Sequence, residues 1–462
     1  MAAYAIGAAA IAATGVIAPI SAPLSAPVSA AASTPASTAQ DAPAAQEPPA
    51  APYGPVAGPM DNSGPPADPS GAALSIPSPL TGAVEMALAQ NPRVLAQLAE
   101  LAALNSDLEV AQWQRFPNLS AEVLATTGGS NAADADGLAV NLALEQPIWA
   151  GGGIGARIDA ARINRDVGRT AIREVRFDLL NAVISSYYEA LLSFERVRVI
   201  EAGLIEMRAL VVSIERRVAQ QVSPLADLTL AQSRLTQLEV ELSSARQQGE
   251  NALLRLEQLV GVPVDQVVFP DEGLIDNVPA EGLALMEMVT CSPALERRQG
   301  EVDLAEAQVD TVRSEILPQV LLQLSQSELT GARAALVLRM QTGNGLSNFA
   351  ATDSAQARVD RAIAQLGEAD REVRNQLRTQ YVALRSNQQR DETGTLAVDA
   401  ADALLLSYER QFVAGRRSWL DVLNAAREKV STRIARSDAR VSAANSATRI
   451  LALSCRWRPE GI

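Results

Sequence analysis

FVAGRRSWLDVLNAAREKV, residues 412–430, reads as a tight turn between two long amphipathic helices. Gly415 suits the positive φ that stops a helix, and Ser418 suits the cap of the helix that follows. A weaker copy begins 194 residues upstream at Val218, VAQQVSPLADLTLAQSRL. In it Asp227 aligns with Asp421, and Arg234 falls one place after the counterpart of Arg427. One unusual turn used twice implies an internal duplication hinged at two equivalent tips.

The duplication extends outward from the tips. Asn91-Pro92 and Phe116-Pro117 stand 25 residues apart, and Ser292-Pro293 and Leu317-Pro318 repeat that spacing 201 residues on. Each pair brackets a helix, 92–115 and 293–316, with proline tolerated in the first turn and again past the end. Two structural repeats are expected, 80–282 and 283–462. Each runs helix, β-hairpin, long helix, tip, helix.

Within each repeat a short alternating segment, a glycine-bearing turn and a second alternating segment follow the closing proline. Leu119, Ala121, Val123 and Ala125 alternate with Ser120, Glu122 and Thr126, and Leu138, Val140, Leu142 and Leu144 alternate with smaller or polar residues. Val320, Leu322 and Leu324, then Ala334, Leu336, Leu338 and Met340, repeat the pattern. Segments of about ten residues match membrane-spanning β-strands, and the period alone fits a soluble hairpin packed on helices equally well.

The helices decide between these. No proline interrupts 153–220, and apolar residues fall at 197, 200, 204, 207, 211, 214 and 218, a coiled-coil seam. Leu228, Ala231, Leu235, Leu238 and Leu242 continue it after the first tip, and Val398, Ala401, Leu405, Tyr408 and Phe412 precede the second. A helix of roughly 67 residues spans about 100 Å, so its neighbours must match it. The returning helix 225–260 does so only when stacked end to end with 92–115. Four strands per chain cannot close a transmembrane barrel, whereas three chains would supply twelve.

Composition narrows the function. The 39 basic residues include a single lysine, Lys429, and 53 acidic residues leave a net charge of −14, which argues against nucleic acid. With no histidine, His-based metal sites, general bases and triads are excluded. Aromatics make up only 3% of residues, too few for an ordinary thick core. No cofactor site and no catalytic constellation is legible, so an enzyme is the remote third choice. Residues 1–31 form a signal-like segment of small apolar residues. Its basic n-region would lie upstream of Met1, because the first positive charge is Arg93. The Pro/Ala-rich stretch 32–79 is expected to be a disordered tether.

The layout resembles the TolC family of outer-membrane channel proteins over roughly 80–457. Its most specific pieces are Gln146-Pro147-Ile148-Trp149-Ala150-Gly151-Gly152 after the first hairpin and Gly415–Ala425 at the second tip. The resemblance implies a mainly α fold with a membrane β-barrel. Three protomers would build a long helical coiled-coil barrel and a twelve-stranded β-barrel from four strands each. It further implies a passive exit duct in the outer membrane of a Gram-negative bacterium, extending into the periplasm. Such a duct serves drug efflux or type I protein secretion. Partners would be outer-membrane lipid, a periplasmic adaptor and an inner-membrane pump of RND or ABC type. The rival from another class is a soluble periplasmic coiled-coil scaffold.

Carried over residue by residue, Asp421 matches an aspartate of the tip constriction. Asn424 stands where the best-known member has a second aspartate, which implies a less acidic collar. Arg417 and Asp227 match residues that tie neighbouring tips shut. The tyrosine expected to join Asp227 is Phe412 here, and Ala226 faces Arg417, so the latch is rewired. Gly415, Arg416, Ser418 and Ser223 are adaptor-docking candidates, and Trp149 is a membrane-interface candidate. Trp419 is expected to pack between tip helices. The fold implied by the resemblance sets Cys455, ending the last helix, and Cys291, beginning the second short helix, around the tunnel's mid-section. There they are either one disulfide or two separate thiols.

Overall fold

A computed structural model of the chain describes residues 75–126, 137–264, 266–327, 331–341, 343 and 345–460, all within the unit Ser70–Ile462. The signal-like segment 1–31 and residues 32–74 of the expected tether lie outside these. The tether's last five residues do not, because Ser78 already opens a helix that buries Leu80 and Val84 completely.

In chain order the elements are α1 (Ser78–Gln90), α2 (Pro92–Trp113), β1 (Asn118–Thr126), β2 (Gly137–Trp149), α3 (Gly153–Ala219) and α4 (Leu225–Val260). The same order then repeats: α5 (Glu281–Cys291), α6 (Pro293–Ser314), β3 (Gln319–Ser327), β4 (Gly331–Arg339), α7 (Ser347–Val413) and α8 (Trp419–Leu453). Both long helices have 67 residues, and both proline-started helices have 22. The short helices α1 and α5 add to the expected plan. Cys291 consequently closes α5 rather than beginning the next helix, and Cys455 lies two residues beyond α8.

Stacking of short helices along a long one is visible at Asn91. Its side chain accepts from the Arg93 amide at 3.0 Å, capping α2, and donates from Nδ2 to the Leu259 carbonyl at 3.0 Å in the last turn of α4. One residue therefore joins the start of α2 to the end of α4, and both helices pack on α3.

Two clusters carry most of the burial. The larger gathers α1, the middle of α3, the end of α4, the middle of α7 and the end of α8, and it holds Tyr187, Tyr188, Tyr381 and Trp457. The Tyr188 hydroxyl lies 2.6 Å from Thr448 Oγ1, while Tyr381 donates to the Pro279 carbonyl at 2.6 Å. Tyr187 OH both donates to the Val268 carbonyl and accepts from its amide. Each buried phenol thus keeps a hydrogen-bonding partner, which offsets its desolvation. Burial pushes the Tyr188 hydroxyl well above its ordinary range, with the Thr448 bond working the other way.

The second cluster is the coiled-coil seam. Ile200, Leu204, Met207 and Ile214 of α3 meet Ala231, Leu238 and Leu242 of α4 and Leu405 and Phe412 of α7. Cys291 and Cys455 form a disulfide with Cα atoms 6.5 Å apart, joining the end of α5 to the chain beyond α8.

The strands form one antiparallel sheet in the order β1-β2-β3-β4. Leu119 pairs with Leu144, Ala121 with Leu142, and Leu322 with Leu336, so like faces lie side by side across the sheet. Gln146-Pro147-Ile148-Trp149 lies within β2 rather than after the hairpin, with a bulge between Pro147 and Trp149. Gly151 and Gly152 then turn the chain into α3 at φ of +56° and +83°. A Cβ on Gly151 would sit 2.6 Å from Leu317 Cβ, so both the backbone and the close approach require glycine there.

Candidate functional site

The sheet has one apolar and one polar face. Leu119, Val123, Val140, Leu142, Leu324, Leu336 and Leu338 are all exposed, up to 71% for Leu336 and Leu338. Seven large apolar side chains on one sheet face form a patch that soluble monomers rarely leave open. The opposite face carries Ser120, Glu122, Asn141 and Glu145. Gln323 donates to Glu145 at 2.8 Å, and Arg339 approaches the same carboxylate at 3.5 Å. Among the described residues no strand lies beside the outer edge of β1 or of β4.

Exposed aromatics collect where sheet meets helices. Trp149 is half exposed at the end of β2, and Trp113 and Phe116, also exposed, pack in a tilted pair with ring centroids 5.0 Å apart. In a chain this poor in aromatics, their position at the apolar sheet's rim fits an interface belt. Trp113 and Phe116 are not prominent in the sequence, since one ends a helix and the other precedes a proline.

No helix among the described residues is long and apolar enough to cross a membrane.

At the opposite end of the long helices the second tip is built from short-range bonds. Gly415 has φ of +70°, its amide donates to the Phe412 carbonyl at 3.0 Å, and the Arg416 amide reaches the Gln411 carbonyl at 2.8 Å. Ser418 caps α8 by accepting from the Asp421 amide at 3.2 Å, while its hydroxyl donates to Asp421 Oδ2 at 2.9 Å. In the first tip Gln221 takes Gly415's place, and it keeps the left-handed backbone at φ of +61°. Cys455 holds the same relation to Gly261, at +59° and +85°. The duplication therefore preserves backbone shape where it has not preserved glycine.

Arg417 spends its contacts inside its own tip. Its guanidinium lies 4.3 Å from the Tyr408 ring centroid, donates to Gln411 at 3.2 Å and to Tyr408 OH at 3.4 Å, and approaches Asp421 at 3.7 Å. Phe412 packs on Trp419 with ring centroids 4.9 Å apart and takes the Arg217 guanidinium at 4.7 Å. Trp419 is 3% exposed between the tip helices. Asp227 lies in the first turn of α4 and Asp421 in that of α8, each complementing the helix dipole. Asn424 is exposed one turn after Asp421. Arg416 and Ser223 also lie at the tips, and Ser223 accepts from Arg217 at 3.4 Å.

Further along the same helices the only lysine sits in an ion cluster. Lys429 of α8, 12% exposed, contacts Glu206 of α3 at 2.8 Å and Asp402 of α7 at 3.2 Å. Arg433, one turn on, reaches the same two carboxylates at 3.6 and 2.9 Å. Burial raises the Asp402 pKa, but hydrogen bonds from Arg433 and Lys429 outweigh it and hold the group below the ordinary carboxylate range. Nearby Glu409 is pushed up, first by burial and then by Glu206, against the pull of Lys429. Three helices contribute to this cluster, so the sequence signals it only through the rarity of lysine.

Comparison with known proteins matches residues 83–262 to the outer membrane efflux protein family. The chain is similar to the alkaline protease secretion protein AprF of Pseudomonas aeruginosa, 25% identical over 63% of this chain and 64% of AprF. It therefore spans slightly under two thirds of that relative. It is also similar to the cobalt-zinc-cadmium resistance protein CzcC of Cupriavidus metallidurans, 26% identical over 78% of this chain and 85% of CzcC. Among solved structures, CusC superposes with a TM-score of 0.72 at 16% identity, covering 82% of this chain and 92% of CusC. The outer membrane protein VceC of Vibrio cholerae gives 0.70 at 18% identity, covering 81% and 96%.

Proposed function

We propose that this chain, whose residues 83–262 match the outer membrane efflux protein family and whose fold is that of CusC, is the TolC-like outer-membrane exit duct of a tripartite export system. Three protomers would join the free edges of β1 and β4 into one barrel of twelve strands, four from each. The apolar face of Leu119, Val123, Leu336 and Leu338 would then meet lipid, and the face of Glu122, Glu145 and Arg339 would line water. The observation that carries this reading is a sheet with one exposed apolar face and two unpaired edges, continuous with two helices of 67 residues each. An open edge in lipid leaves backbone groups unsatisfied, so closure by further copies is required.

The helices would form the periplasmic tunnel, with the tips as its far end. Conduction is passive, and the energy comes from an inner-membrane pump reached through a periplasmic adaptor. Asp421 and Asn424 would line the constriction. Arg417 stands beside Asp421 and lowers the net charge of that collar. Gly415, Arg416, Ser418 and Ser223 would meet the adaptor, and Trp149 with Trp113 and Phe116 would mark the membrane interface. The cargo class is either small solutes, as the resistance function of CzcC suggests, or protein, as the secretion function of AprF suggests.

The test is conductance of the chain 32–462 in planar bilayers, repeated with Asp421→Ala. Discrete openings whose cation preference falls in the variant support both the duct and Asp421 in its constriction. Openings with unchanged selectivity remove Asp421 from the pore. A chain that never inserts and stays soluble overturns the duct.

A further inference from the structure

The two repeats close the same joint by different chemistry. By the offset of the proline pairs, Gln90 and Asn91 correspond to Cys291 and Ser292, and by the offset of the tips Gly261 corresponds to Cys455. In the first repeat these places meet without a covalent bond. A Cβ on Gly261 would lie 3.9 Å from Gln90 Oε1, and the Asn91 amide donates to the Leu259 carbonyl at 3.0 Å. In the second repeat Ser292 is as deeply buried as Asn91, but its hydroxyl caps nothing and has no bonding partner among the described residues. The disulfide Cys291–Cys455 stands where Gln90 meets Gly261. Packing differs in the same sense. α1 buries Leu80, Ala83, Val84, Ala87 and Leu88, whereas α5 buries only Ala284 and Met288 and leaves Leu283 and Met286 exposed. The ion pairs of α5 to α7 and to the chain beyond α8 are Glu281–Arg385 at 3.2 Å and Glu287–Arg456 at 2.8 Å. Both are partly exposed, and such pairs add little on their own. A helix of 11 residues is marginal by itself, so burial alone leaves α5 weakly held.

We propose that the Cys291–Cys455 bond replaces the first repeat's Asn91 clasp, and that α5 docks against the end of α8 only in the oxidised chain. As this S–S bond forms, the two thiols give up two protons and two electrons. The disulfide of a periplasmic dithiol oxidase accepts them, and its own S–S bond breaks to a dithiol. α5 runs through Ser292-Pro293 into α6, so the same bond fixes where α6 starts relative to the end of α8. Thiols stay reduced in the cytosol. The joint of the second repeat therefore closes only after export, while that of the first can close in any compartment. Only the periplasmic location is needed for this, not the exit-duct reading.

Hydrogen–deuterium exchange of the full chain in mild detergent, read by mass spectrometry before and after reduction, tests this with α1 as the internal control. On reduction the amides of α5 should exchange about tenfold faster or more, with those of α1 unchanged. The variant Cys291→Gln/Ser292→Asn/Cys455→Gly copies the first repeat's residues into the second. It should regain most of the α5 protection that Cys291→Ala/Cys455→Ala loses, and should not respond to reductant. Exchange in α5 that ignores reduction overturns the clasp, and so does an equal rise in α1, which would mean general loosening. A triple variant no better protected than the double alanine variant overturns the equivalence with Asn91.

Discussion

Replacing Lys429 by methionine removes the one lysine while keeping most of its apolar length. The ammonium is 12% exposed and holds two carboxylates on two other helices, Glu206 at 2.8 Å and Asp402 at 3.2 Å. Breaking a fully buried pair by removing one partner costs roughly 3–5 kcal/mol. Here the carboxylates are 36% and 33% exposed, and Arg433 stays on both. Solvent screening and the remaining guanidinium reduce the expected loss to about 1–2 kcal/mol. Urea unfolding followed by helical circular dichroism at pH 7 reads it directly. Removing Arg433 as well leaves both carboxylates without a cation, so the double variant should lose more than the sum of the singles.

The sign of the pH dependence follows from Asp402. Its folded pKa is depressed, so its stabilising contribution is present above the unfolded value of about 3.9 and is lost as pH falls through the folded value. The gap between the native chain and Lys429→Met should therefore narrow below about pH 4. An unchanged midpoint at pH 7, or a gap that widens in acid, would refute the assignment of this cluster as a clamp of α8 on α3 and α7.

Other parts of the structure give expectations of different kinds. The disulfide closes 164 residues of sequence, so Cys291→Ser/Cys455→Ser should lower unfolding stability by about 2–5 kcal/mol. The native chain should also take up thiol label only after reduction, which mass spectrometry checks. On the sheet, Leu336→Arg puts a charge on the face read as lipid-facing and should cost about 2–4 kcal/mol, reducing assembly in outer-membrane fractions. Ser120→Arg, on the opposite face, should assemble normally. Equal assembly of the two would mean that the lipid-facing side has been misassigned.

Periodicity carried the fold because the dominant forces here are repetitive. Ile200, Leu204, Met207 and Ile214 announce one helix face by spacing alone, and Pro92 and Pro293 mark helix starts whatever surrounds them. The short helices α1 and α5 escaped this reading, since a helix of 11 or 13 residues has too few turns to display a face. Alternation located the strands, but their side-by-side apolar face depended on a register visible only once β2 met β3. The tips divide in the same way. Gly415 and Ser418 are legible because each serves its own backbone within a few residues. Arg417's turn toward Tyr408 and Gln411, and the meeting of Lys429 with Glu206 and Asp402, depend on how separate helices are rotated about their axes. No local pattern records that rotation. Gln221 is the instructive case: its positive φ is inherited from the duplicated turn, while its side chain gives no hint of it.

Stoichiometry is the most direct test, because four strands with two free edges cannot exist alone in lipid. Native mass spectrometry of the chain extracted from outer membranes in mild detergent should give a mass of three copies. A membrane-inserted single copy would contradict the account.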